Sequence, residues 1–298
     1  MTESPRIFGS RRAILTGGLA VGSAAVVAAC TSTASPSGSG SAASSDDLLQ
    51  RIISDGKVRL GVDLTFAPLQ FRDDNDEPTG YSIELTKMIL ADLGVEIEWV
   101  EMEFSQLFAG LVADRFDMTG IPATILPSRA QQVLFSTQPA FIESNVILQR
   151  PGLSLRSEAD LNNPDITIAV LAGSSQEAAV PLLYPNAKTK SLGNQEAIQD
   201  VASGQSDVSM LSEFNIADAL EQYPNLTVLP GPSSLVDVNT YFVPAGQFGL
   251  KSYIDNALLY LTSHGTLAGL WNQWVGNAAT AAGLPTVPVR FPYLNGAA

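Results

Sequence analysis

The sequence predicts an α/β fold assembled as two similar packing units, and three observations predict it. A strand-helix-strand-helix-strand pattern begins at Val58, the same grammar restarts at Ile166, and 298 residues correspond to about two units at roughly 150 residues per domain. Composition narrows the function in parallel. With 30 Asp+Glu against 16 Lys+Arg the formal charge is −14, which excludes a nucleic-acid binder that works by neutralising phosphates, because that needs clustered Lys and Arg. One Cys precludes an intrachain disulfide, and one Cys with one His cannot build a zinc site. Any metal would have to be held by carboxylates; no metal site and no cofactor are expected.

Arg6, Arg11 and Arg12 stand before residues 13–29, seventeen uncharged residues rich in Gly and Ala. A stretch so short and small-sided is a poor membrane span, whereas a charged front before an apolar middle is the layout of a signal peptide. Ser10-Arg11-Arg12-Ala13-Ile14-Leu15 resembles the twin-arginine motif for export of folded proteins. Val27-Ala28-Ala29-Cys30 resembles a lipobox, whose Cys becomes the lipidated first residue. As a bare residue Cys30 would be an incidental small side chain; the lipobox reading rests on the only thiol falling where processing would use it. Cleavage removes three Arg and one Glu, leaving 13 basic against 29 acidic residues, or −16. Residues 31–45 are uncharged and dominated by Ser, Ala and Gly, so they cannot bury a core and behave as a flexible tether. Residues 1–29 are read as leader and 30–46 as tether, which places the folded part on the extracytoplasmic face of a cell membrane.

Val58, Leu60 and Val62 alternate with Arg59 and Gly61, a strand signal, and residues 63–68 follow as a loop. From Ser82 the period changes: Leu85, Met88, Ile89 and Leu93 share one helical face, with Gly94 at the stop. Val95, Ile97 and Trp99 alternate with Glu96 and Glu98 as a second strand. Leu107, Phe108, Leu111 and Val112 give a second helical face and residues 117–121 a third strand. Such a run makes a parallel sheet with helices on its faces. Residues 166–170 open the second unit, with helices from about Ser174 and from Gln195 to Ser203, and strands near 208–211 and 226–229. Segments 112–121 and 201–211 echo each other as helix end, polar turn, Asp and strand. Residues 239–243 read as extended, and 250–264 and 266–275 as closing helices parted by Gly265. Residues 278–298, with Pro285, Pro288 and Pro292, read as an irregular surface tail.

Several short segments then line up. Gly80-Tyr81-Ser82-Ile83-Glu84-Leu85, Leu93-Gly94, Phe116-Asp117 and Ser128-Arg129 before Phe135-Ser136 come first. Gly173-Ser174-Ser175-Gln176-Glu177, Gly204 to Asp207, Gly265-Thr266 and Trp274-Val275-Gly276 follow. Their order and spacing, over roughly residues 55–277, resemble the extracytoplasmic solute-binding proteins of polar amino-acid ABC importers, family 3. The resemblance implies a two-lobe, type II periplasmic-binding-protein (Venus flytrap) fold. The chain would cross over near Ser144 and return near Val238, so that lobe 1 is discontinuous, 47–143 with 238–277, around a lobe 2 of 144–237. It also implies a small-molecule solute in the interlobe cleft, hinge closure over it, and an ABC permease as membrane partner. A monomer is expected.

By the same resemblance Arg129 is the arginine that clamps a ligand carboxylate, its planar fork matching two oxygens; as a bare residue it is an exposed helix-start Arg. Thr124, five residues earlier, would donate its hydroxyl to that carboxylate, or is an ordinary strand-end Thr. Gly173, Ser174 and Ser175 precede a helix whose free N–H groups favour an anion. A Ser N-cap with Glu177 nearby is the local alternative, and the two are compatible. Asp63, Phe66 and Phe104 match positions that line the family's pocket; the two Phe are otherwise core residues. Ser212 is a departure, standing where amino-acid binders of the family carry the Asp that accepts the α-ammonium. A buried ammonium without a carboxylate is costly. Either Glu213 or Asp63 compensates, or the ligand is an organic acid, a zwitterion with a displaced or alkylated nitrogen, or an amino acid in a variant pose. Pro122, which lacks an N–H, is a second departure.

The reading that results is a lipid-anchored protein, not an enzyme, that captures a small carboxylate-bearing solute, an amino acid or amino-acid-like compound, and delivers it to a permease. Two alternatives stay open: a dehydratase-like enzyme on the same fold with Glu213 as general acid, and a sensory ligand-binding subunit. Ser-His-Asp and Cys-His chemistry is set aside, because His264 reads as lying near a helix end and Cys30 as the anchor.

Overall fold

Alternation of Val58, Leu60 and Val62 produces the strand Lys57–Val62, the middle of a parallel three-stranded sheet. Glu96–Glu101 pairs on one side, with Val58 opposite Ile97, and Met118–Thr119 on the other, with Leu60 opposite Met118. This computed structural model describes residues 47–231 and 234–276. The expected leader, Cys30, the tether up to residue 46 and the tail from 278 lie outside the described residues. The third strand, expected over 117–121, is only two residues long. Thr119 Oγ1 accepts from Ile121 N at 3.1 Å, which turns the chain out of the ladder.

Helix Tyr81–Leu90 buries Tyr81, Ile83, Leu85 and Ile89 on this sheet, and Gly94, at φ 62, ends the turn that follows it. Met88, read as part of that face, is exposed. On the opposite face Leu107 and Leu111 of helix Leu107–Val112 pack with Val62 and Phe116. An additional helix, Leu48–Asp55, is capped by Asp47 Oδ1, which accepts from Leu49 N at 3.0 Å, and stops at Gly56. Its Leu48 and Ile52 meet Leu250, Ile254 and Leu258 of the closing helix Phe248–Ser263. The last part of the chain therefore completes the core that the first part begins. The loop expected over 63–68 contains a short strand, Thr65–Phe66, in an antiparallel ribbon with Gln70–Arg72 and Pro78–Thr79.

In the second half Thr167–Leu171 lies between Lys188–Leu192 and Val208–Ser212, parallel to both. Its period-two alternation serves two helices. Ile168 and Val170 pack with Val180 of helix Ser175–Leu183, and Ala169 packs with Ala197 and Val201 of helix Asn194–Ala202. Against Val208–Ser212 runs Phe141–Gln149, antiparallel, with Ser212 opposite Asn145. This nine-residue strand has no counterpart in the sequence reading. Its first residues pair with Val236–Thr240, setting Glu143 opposite Asp237, and Val236–Thr240 pairs in turn with Ala123–Thr124. Both halves are thus joined through two adjacent antiparallel strands, the ones that contain Ser144 and Val238.

Asp117 fastens the edge of the first sheet. Its buried carboxylate accepts from Arg59 N, Arg59 Nη2 and Arg51 Nη2, each at 2.8 Å. Burial pushes its pKa up, but the hydrogen bonds and charges of Arg59 and Arg51 outweigh that and hold it below the usual 3.8. A depressed carboxylate stabilises the fold fully above its unfolded value and loses that contribution as pH falls through the folded value. Asp117→Ala should therefore cost about 1–3 kcal/mol in urea unfolding at pH 7, less than a fully buried pair because both Arg side chains stay partly in water. The difference from the parent should shrink as pH falls below 3.8.

Candidate functional site

A cavity with about 720 Å³ of empty space, mouth included, lies between the two halves. Asp63, Phe66, Phe104 and Thr124 line it from the first half, and Ser174, Ser175 and Ser212 from the second. The halves touch at its rim. Asn194 Nδ2 donates to Thr65 O at 3.4 Å, and Arg129 Nη2 donates to Gly173 O at 2.6 Å. Gly173 has φ +75, and a Cβ there would lie 2.8 Å from Ser105 Cα across the seam, so only Gly permits this approach.

Arg129, expected to clamp the ligand, is absent from the cavity wall. It sits in the short helix Pro127–Ala130, buried, with its guanidinium carbon 4.4 Å from the Phe108 ring centre and 5.8 Å from that of Phe104. Nη1 donates to Thr124 O at 2.7 Å, so both its hydrogen-bond partners are neutral carbonyls. Among the described residues no carboxylate stands within 4.0 Å of it. Burial drives its pKa down to about 10, with the charge of Asp237 opposing. Three of its five N–H donors remain for another partner. The Thr124 hydroxyl, expected to face a ligand, donates instead to Asn239 Oδ1 at 3.1 Å.

Asp63 does not offer a free carboxylate to the cavity. Its Oδ1 accepts from Thr65 N at 2.9 Å and Thr65 Oγ1 at 2.5 Å, and its Oδ2 from Phe104 N at 2.8 Å. One side chain thereby ties together the two loops that carry Phe66 and Phe104. Both rings border the cavity and also pack on the core behind them, so the two readings of these residues hold together.

At the start of helix Ser175–Leu183, Ser174 Oγ accepts from Glu177 N at 3.2 Å and Glu177 Oε2 accepts from Gly173 N at 2.7 Å. The capping arrangement is present, and it leaves the Ser175 and Gln176 N–H groups of the first turn without acceptors inside the helix. Side chains beside them engage an acid of the chain itself: Ser175 Oγ donates to Asp237 Oδ2 at 2.6 Å, as does Asn145 Nδ2 at 2.9 Å. Gln176 Nε2, on the cavity wall, donates to Asn145 Oδ1.

Ser212 Oγ donates to Glu143 Oε2 at 2.9 Å. Glu143 is buried and lines the cavity, as does Asn239 from the adjacent strand. Burial, then the charge of Asp237, push Glu143 up to about 8 against the Ser212 hydrogen bond. Glu213 is not on the wall: its Oε1 accepts from Ser144 N at 2.9 Å, and burial raises its pKa. Sequence reasoning missed Glu143, Asp237 and Asn239 because the strand Phe141–Gln149 was not read and the extended segment was read only from residue 239 onward. The signal was there in FIESNVILQ, whose Phe141, Glu143, Asn145 and Ile147 all fall on the buried side of a period-two pattern.

Solved structures share this architecture. An ancestral amino acid-binding protein, AncCDT-1, described as a precursor of cyclohexadienyl dehydratase, is 28% identical with a TM-score of 0.68, covering 76% of this chain and 98% of that one. The P235GK mutant of ArgBP from T. maritima is 25% identical with a TM-score of 0.70, covering 77% and 99%. These are type II periplasmic binding proteins, and the two-lobe fold with a discontinuous first lobe is that of this chain. Among curated proteins, the L-cystine-binding protein TcyA of Bacillus subtilis (strain 168) is 24% identical over 233 residues, 77% of this chain and 85% of that protein. The lysine/arginine/ornithine-binding periplasmic protein of Escherichia coli (strain K12) is 27% identical over 202 residues, 65% and 75%. The sequence profile of one family matches residues 58–277, most of the chain and both halves of the cleft, and this protein belongs to the bacterial extracellular solute-binding proteins, family 3.

Proposed function

We propose that this protein captures an amino acid or an amino-acid-like compound through its carboxylate and hands it to the membrane permease of an ABC importer. One observation carries the reading: Arg129 is a buried guanidinium at the seam of the cleft with donors to spare and no acidic partner within ion-pair distance among the described residues. A buried charge of this kind is costly unless an anion joins it, and a ligand carboxylate is such an anion. Thr124, Ser174 and Ser175 would flank it, with Phe66 and Phe104 against the ligand's carbon chain. The names of the relatives, which bind cystine, lysine, arginine or ornithine, support an amino-acid ligand.

Residues 47–143 with 238–277 act as one lobe and 144–237 as the other, closing as the two joining strands flex. We read the chain as monomeric, exported by its twin-arginine leader and held on the outer membrane face by lipid at Cys30; no helix among the described residues is long and apolar enough to cross a membrane. Binding is favoured over dehydration chemistry because Glu213, the candidate acid, is bonded to Ser144 N away from the cavity wall.

The test is a thermal-shift panel of amino acids, betaines, polyamines and organic acids, since a ligand that binds only the folded state raises its melting temperature. An amino acid or close analogue should raise it; a panel without a hit overturns the reading. Arg129→Ala should weaken the hit by ~2–5 kcal/mol in calorimetry, the cost of unmatching one partner of a desolvated charge pair. Gly173→Ala should weaken it about tenfold or more while the circular-dichroism spectrum stays that of the parent, because a Cβ 2.8 Å from Ser105 Cα wedges the halves apart.

A further inference from the structure

Glu143 and Asp237 are direct Cα partners in the ladder that joins the halves, and both side chains are buried. Asp237 is held by Ser175 Oγ and Asn145 Nδ2. Glu143 receives Ser212 Oγ and borders open cavity on the same wall as Asn239. Among the described residues neither acid has a Lys or Arg within 4.0 Å. The charged groups around Glu143 are Asp237 on the neighbouring strand and Glu213 after the strand on its other side, both acidic, while Arg129 feels the charge of Asp237. A second, independent feature marks the same place. Asn239 is 4% exposed; its side-chain amide acts on Glu143 as a hydrogen-bonding neighbour that opposes the rise in that acid's pKa, while its buried Nδ2 reaches no partner at full hydrogen-bonding geometry. A wall that offers a buried acid lacking a cation, with an incompletely bonded amide beside it, is complementary to a molecule that brings a positive charge.

Resting on the solute-binding reading, we infer that Glu143 is the specificity-determining residue of the cleft: its carboxylate takes the cationic nitrogen of a zwitterionic solute, and binding expels to solvent the proton that the empty site holds. Two like carboxyls buried side by side do not readily both ionise, so one proton stays until a positive charge replaces it. Burial and the Asp237 charge place that proton on Glu143, with a pKa of about 8. The acid missing at position 212 is thus supplied from the joining strand, with Ser212 as its hydrogen-bond donor.

The test takes any solute that raises the melting temperature in the panel and measures its affinity by calorimetry at pH 8, 7 and 6, in two buffers of different ionisation enthalpy. With the group titrating near 8, affinity should fall about fifty-fold from pH 8 to pH 6, and close to one proton should be released per solute bound at pH 7. Glu143→Gln should weaken binding about thirtyfold or more at pH 8 and flatten the pH profile. Because Ser212 Oγ is 2.9 Å from Glu143 Oε2, an acid at 212 reaches the same space, so the double variant Glu143→Gln/Ser212→Asp should recover binding. A hit that lacks a cationic nitrogen, a flat profile in the parent, or a Glu143→Gln variant that binds as the parent does would each overturn the inference while leaving solute capture standing. Should Glu143→Gln not fold, the proton count and pH profile of the parent decide. A panel with no hit overturns both.

Discussion

Everything in the cleft depends on the pairing of Phe141–Gln149 with Val236–Thr240. That ladder sets Glu143 beside Asp237 and brings Asn145 and Asn239 onto the same buried side of the two strands. Side chains in a strand alternate between faces, so a slip of one residue in either strand would turn Glu143 or Asn239 away from the cavity. The strands that join the halves are therefore also the strands that carry the polar groups of the cleft floor. Under the proposed closure, bending these strands would also shift the polar groups they carry, which would not be so in a pocket built on loops alone.

The charges of the site are separated rather than paired. Arg129 lies at the seam against aromatic rings and neutral carbonyls, and Glu143 lies on the wall against a hydroxyl and another acid. Had these groups been within reach of each other they would have neutralised internally, and the cavity would have little to offer a solute. Keeping them apart leaves a desolvated guanidinium at the seam and a buried, protonated acid on the wall, the two groups that the proposed zwitterion would engage.

The parallel strands and the helices after them were legible because their burial follows simple periods: Val58, Leu60 and Val62 alternate, and Leu85 and Ile89 recur on one helical face. The helix Leu48–Asp55 was overlooked although Asp47 and Gly56 bracket it with the usual start and stop residues. The strand Phe141–Gln149 was harder to see. It buries Glu143 and Asn145 on the face where a pattern reader expects apolar residues, so the feature that makes it functional also hides it. Arg129, Ser175 and Ser212 could be singled out by the resemblance to the family. What each one touches could not, because Gly173, Asp237 and Glu143 reach them from elements remote in sequence.

Asp63 grips the backbone of both aromatic loops, at Thr65 N and Phe104 N, and makes no bond to either ring. The main chain under Phe66 and Phe104 is consequently set by a residue whose own duty is local. Replacing either ring with a smaller group would reshape the chamber and thin the core behind it, while the bonds from the loop backbones to Asp63 would remain available. Diversification of cargo within such a scaffold can then proceed by exchanging single side chains, with the loop anchors left in place.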